Sequence, residues 1–248
     1  MRFLRVSCAA VACLVLASAC ASKDDAPTTA PPGESPTASS TPTHATDTPT
    51  APTTTATTSP GATDRPAPGA PLVDRLLPTG LVPGLNTQWH WQDGDTGPAG
   101  TELFGVCAKA DLGSIGAVTA FERTYFPPDD SDDSAAEQVA EFPDAATAAR
   151  TWSVLQSWHD HCKLKASDHP GLRVRKLIDL PDSGHARWYL LSWTPTGEET
   201  GRFEAFGMAL DGTRIALLRI DNSGQDHDYP AGKEPMAGML AAAAAWLA

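Results

Sequence analysis

The chain has 248 residues, 41% hydrophobic and 19% charged, with a formal net charge of −12. Residues 1–70 supply only −1 of it, so residues 71–248 carry −11, from 14 basic and 25 acidic side chains. Such a surface repels nucleic acid and anionic headgroups, and nucleic acid is excluded as a partner on that ground.

At the start, Arg2 and Arg5 precede a run without charge, residues 6–19, that is too short to span a bilayer. Residues 1–19 therefore read as a signal peptide. Ala17-Ser18-Ala19-Cys20 resembles a bacterial lipobox, with Leu16 one place earlier than the usual leucine. The expected product is a lipoprotein, its Cys20 carrying lipid (palmitate among the acyl groups) and its bulk on the cell-wall side of the cell membrane. The alternative is ordinary secretion after cleavage at the A-S-A site. Residues 20–70 read as a disordered tether, since 21–70 hold 14 Thr, 10 Pro, 10 Ala and 5 Ser and cannot build a core. Fully extended, that tether reaches about 150 Å.

The remaining 71–248 form one globular domain. Its cysteines are few: Cys8 and Cys13 leave with the signal, Cys20 carries lipid, and Cys107 and Cys162 remain. A lone pair in an exported chain reads as a disulfide. Closing that loop contributes roughly 4 kcal/mol in the chain-entropy model.

In chain order, residues 72–77 (LVDRLL) make a short amphipathic turn stopped by Pro78 and Gly80. A Gly- and Asp-rich loop runs through Trp89-His90-Trp91 to Gly100. Residues 102–107 (ELFGVC) and 118–126 (VTAFERTYF) read as strands, the second ended by Pro127-Pro128. A third, 138–142, feeds the helix around which the domain is organised, with Asp144 as N-cap and Ala148, Ala149, Trp152, Leu155 and Cys162 at helical spacing. Then come strands at 173–180, 186–194, 202–210 and 213–221. The turn 181–184 joins the first two, and Asp211-Gly212, with a type I′ signature, joins the last two. An Ala-rich helix over 234–247 closes the chain. The order βββα then ββββα, with short turns, implies an α+β fold built on a mainly antiparallel sheet with two helices flanking or sharing its faces.

Residues 139–146 (VAEFPDAA), then Ala149 and Trp152, then Trp158 with Cys162, resemble the extracellular sensor domain of actinobacterial receptor-type serine/threonine kinases of the PknH kind, a domain also carried by cell-wall lipoproteins. The likeness covers roughly residues 100–165 and contains no kinase domain. It implies an extracytoplasmic sensing or ligand-binding module with a cleft on its sheet, and a structural role for Cys162 in a disulfide. Those sensors generally carry two disulfides, and this chain has cysteines for one.

Several motifs carry chemistry on paper. His159-Asp160-His161-Cys162, with His169 behind, holds metal-ligand residue types, yet i and i+2 on a helix point about 200° apart. The acidic run 129–133 lacks the Gly and Glu of a calcium loop. Asp226-His227-Asp228 has no recognisable nucleophile beside it. No metal, cofactor or catalytic set is expected. The aromatics Trp188, Tyr189 and Trp193, with Trp89 and Trp91 as a wall, are the candidate floor of a site. Strand alternation puts Trp188 and Tyr189 on opposite faces. The expected function is binding without catalysis of a small-molecule, lipid, glycan or protein ligand from the envelope or beyond it. The alternatives are a structural or partner-docking lipoprotein, or a cell-wall hydrolase.

Overall fold

In the computed structural model the described residues are 65–224 and 229–248, all within the unit Thr58–Ala248. The signal peptide, Cys20, most of the tether, and Asp226, His227 and Asp228 lie outside the described residues. The elements are β1 (Gln92–Pro98), β2 (Thr119–Phe126), β3 (Ser134–Glu141), α1 (Ala145–Asp160), β4 (Arg173–Val174), β5 (Ile178–Asp179), β6 (His185–Trp193), β7 (Gly201–Asp211), β8 (Arg214–Gly224) and α2 (Pro235–Leu247). All eight strands pair antiparallel in one sheet, in the spatial order β1-β2-β3-β8-β7-β6-β4, with β5 also paired to β6. The fold is α+β, as the order of elements predicts.

Period-2 alternation sends successive strand residues to opposite faces, and here both faces are buried. One collects Tyr189, Leu191, Phe206, Met208, Ile215 and Leu217 under α1, whose Ala148, Trp152 and Leu155 point inward. The other collects Trp188, Ala209, Leu218 and Ile220 under α2, through Met236, Met239, Leu240 and Trp246. The two helices therefore flank the sheet. Helix α1 begins where Asp144 Oδ1 accepts the Thr147 N–H at 2.7 Å. Ala149, placed on the stripe by spacing, is exposed; Thr151 is buried instead and its hydroxyl donates to the Ile115 carbonyl at 2.9 Å.

Irregular chain covers what the helices leave bare. Residues 72–91, with 3-10 turns at Leu72–Arg75 and Thr79–Leu81, lie on the α2 face, and residues 104–117 lie on the α1 face. The strand expected at 102–107 does not form. Gly105 has φ +93° there, a conformation open to glycine and closed to an extended strand, and a Cβ added to it would stand 2.9 Å from the Phe206 ring. The first strand is instead Gln92–Pro98, inside the expected loop: a polar edge strand needs no apolar face. The strand expected over 173–180 breaks into β4 and β5. In the β7–β8 hairpin Asp211 pairs with Arg214, so the central residues are Gly212 and Thr213. Positive φ occurs at Gly212 (+56°) and not at Thr213, the pattern of a type II′ turn rather than the expected type I′.

Cys107 and Cys162 are disulfide-bonded, with Cα atoms 5.0 Å apart and both residues buried. The bond ties the 3-10 turn after α1 to the irregular segment on the same face. Among the described residues, no helix is long and apolar enough to cross a membrane.

Candidate functional site

A cavity of about 600 Å³ opens on the α2 face, a size that holds a small molecule. Its origin lies in side-chain size along β7. Two neighbouring rows cross the sheet on this face: Trp188–Gly207–Leu218 and Leu190–Ala205–Ile220. Both have a small residue in the middle, so a trough runs along β7. Over Gly207 the trough is filled by Met236, whose sulfur would stand 2.7 Å from an added Cβ. Helix α2 starts at Pro235, one residue before Met236, so the trough over Ala205 stays open.

Trp188, Leu190, Ala205 and Ile220 form the floor; Val174, Arg175, Lys176 and Ile178 form one wall; Glu234, Pro235 and Met236 form the other. Leu85 and Tyr229 close a third side, the Tyr229 hydroxyl donating to the Leu85 carbonyl at 2.7 Å. The lining is mostly apolar, with charge confined to Arg175, Lys176 and Glu234. The Arg175 backbone is held from two directions: its N–H donates to the Leu190 carbonyl at 2.9 Å, and its carbonyl meets His159 Nε2 at 2.9 Å. That second contact joins the cavity wall to the end of α1. Glu234 Oε2 is enclosed and has no hydrogen-bond partner among the described residues.

The five aromatics expected to form a site do not converge. Of the five, Trp188 alone lines the cavity, and it is 7% exposed. Tyr189 and Trp193 are on the α1 face, Tyr189 stacked on Phe206 at 5.3 Å and Trp193 edge-on to His169 at 5.2 Å. Trp89 and Trp91 meet edge to face at 5.4 Å in the α2-face core, outside the cavity, with Trp91 Nε1 donating to the Pro83 carbonyl at 2.9 Å. The residues that sequence reasoning missed are the aliphatic ones. Leu190 could have been found, because it lies two residues beyond Trp188 on one strand.

Two fully buried glutamates, Glu137 and Glu204, have strongly raised carboxyls, and they lie on opposite faces. Burial pushes Glu137 up to about 7, and Glu204 up to about 8 with the nearby Asp221 adding to the rise. Glu137 Oε2 accepts the Leu77 N–H at 2.6 Å and the Tyr125 hydroxyl at 3.2 Å. Both Glu204 oxygens accept the Val106 N–H at 3.0 Å. Each thus receives a backbone donor from the irregular segment on its own face. Nearby, Arg219 Nε stands 2.8 Å from Asp221 Oδ2 but off line for a hydrogen bond, and its guanidinium lies 5.3 Å over Phe104. The histidines diverge as well: His159 lies against Tyr189 at 4.6 Å, and His161 Nδ1 turns back to the Ser157 carbonyl at 2.7 Å.

No protein-family model matches this chain, and no curated protein matches it at a significant level. Among solved structures it is similar to the extracellular domain of PknH from Mycobacterium tuberculosis, at 13% identity and a TM-score of 0.41, over 73% of this chain and 96% of that one. At that identity and score, no property of that domain transfers to this chain.

Proposed function

We propose that the domain is a binding module, held on the outer face of the cell membrane by lipid on Cys20, which takes a small, largely apolar ligand and leaves it unchanged. The observation that supports this reading is the cavity over Ala205: an open apolar volume on the central strands of the sheet, which are elsewhere packed on both faces. The signal-like start and the Thr/Pro-rich stretch before residue 71 support export and tethering. Glu137 and Glu204 favour no catalytic role, because each is fully buried on its own face and engaged with backbone. A general acid and its partner have to reach one substrate together.

The test is a thermal-shift screen of the full chain against envelope lipids, glycans and muropeptides. A ligand that binds the folded state raises the melting temperature. Ala205→Leu puts a side chain into the cavity and should abolish the shift while the protein stays folded. A ligand that shifts wild type and Ala205→Leu equally would place binding elsewhere and overturn the reading.

A further inference from the structure

We infer that the ligand is an anionic amphiphile: one apolar chain lies over Leu190, Ala205 and Ile220, and a carboxylate or phosphate head meets Arg175 and Lys176. The inference rests on the cavity being the binding site. Its independent support is a local concentration of positive charge at the cavity wall. The domain as a whole is acidic, with 25 acidic and 14 basic residues. Arg187, Arg202, Arg214 and Arg219 each stand in an ion pair. Residues 173–176 (RVRK) hold three cations in four positions, and among the described residues none of the three side chains is in an ion pair or hydrogen bond. Two of them line the cavity.

The overall charge of −11 repels an extended anionic surface, whereas a single anionic head beside two unpaired cations is attracted locally. Across the cavity, the enclosed Glu234 Oε2 has no donor among the described residues. As a carboxylate it turns an anionic head toward Arg175 and Lys176, and it can accept only from a hydroxyl elsewhere on the ligand. The apolar floor supplies most of the affinity. Arg175 and Lys176 are exposed, so they supply preference between heads rather than strength.

The experiment titrates the full chain with dodecanoate, dodecyl phosphate, dodecanol and dodecyltrimethylammonium below their micelle concentrations, followed by tryptophan fluorescence. Both anions should bind about three- to tenfold more tightly than dodecanol, with the ammonium weakest. The double variant R175Q/K176Q should bring the anions down to the affinity of dodecanol and leave dodecanol itself unchanged. Tighter binding of dodecanoate points to a fatty acid, and tighter binding of dodecyl phosphate to a phosphate-bearing lipid head. Equal binding of dodecanol and the anions, or preference for the ammonium, overturns the anionic head and leaves the cavity reading standing. Binding by none of the four, or undiminished binding to Ala205→Leu, overturns both.

Discussion

The Leu77 backbone N–H donates to Glu137 Oε2 at 2.6 Å, beneath a segment whose only regular structure is two short 3-10 turns. The Leu77 carbonyl in turn accepts the Tyr125 hydroxyl at 2.8 Å and Arg123 Nη1 at 2.9 Å. Every polar group of that buried peptide position is satisfied by side chains of the sheet, which is how irregular chain can be buried at all. Glu204 does the same for Val106 on the other face. The arrangement has a cost, since both carboxyls are buried and Glu137 Oε1 has no partner.

That cost makes stability depend on pH. Both folded values lie above the ordinary 4.5, at about 7 and about 8, so between these limits the folded state holds more protons than the unfolded one. Stability must then fall as pH rises through that window, and level off above it. Chemical denaturation from pH 4.5 to 8.5 should show a loss on the order of a few kcal/mol. Glu137→Gln and Glu204→Gln should each flatten the slope. A stability that is constant or rising across the window would refute this account of the two groups.

The disulfide lends itself to a direct measurement. Cys107 precedes no strand, so the bond is what holds the end of residues 104–117 against α1, together with the Val106–Glu204 contact. Unreduced peptides should contain Cys107 joined to Cys162. Replacing both by Ser should cost about 2–5 kcal/mol. Two free thiols in the exported protein would contradict the structure.

Anchoring is tested by location. With lipid on Cys20, wild type should partition into detergent with the membrane fraction, and Cys20→Ser should be released into the medium. Wild type recovered fully in the medium would remove the anchor from the proposed function.

What could be read in advance divides by physical cause. Helix α1 and the strands β6 to β8 were legible, because Asp144 caps, Gly212 turns and apolar alternation are local signals. The strand β1 was not, since an exposed edge strand such as Gln92–Pro98 carries no buried pattern. Residues 102–107 misled by composition: Phe104 and Cys107 are buried, but the disulfide and the Glu204 contact hold them there rather than a ladder. For the site, Trp188 was legible as floor, while Tyr189 and Trp193 fell to the other face by parity. The cavity depends on Ala205 being small where Leu190 and Ile220 are not, and on α2 starting one residue before Met236. Both are relations between distant segments, and no local pattern records them.

The trough along β7 yields the last prediction. A methyl group added at Gly207 would place its carbon 2.7 Å from the Met236 sulfur and 3.3–3.4 Å from Leu218. Leu218 is fully buried and cannot yield, but Met236 is unbranched and borders the open volume over Ala205. Gly207→Ala should therefore push Met236 toward the cavity, costing about 1–3 kcal/mol of stability and weakening whatever ligand the cavity takes. Met236→Ala alone should also destabilise, by about 2–5 kcal/mol, as any buried truncation does. Combined, the two changes should cost less than their sum, because the truncated side chain on α2 leaves room for the new methyl, and ligand binding should return. Denaturation midpoints and ligand titrations of the four proteins complete the cycle. Strict additivity would show that Met236 does not fill the trough at Gly207, and the stated origin of the cavity would fall with it.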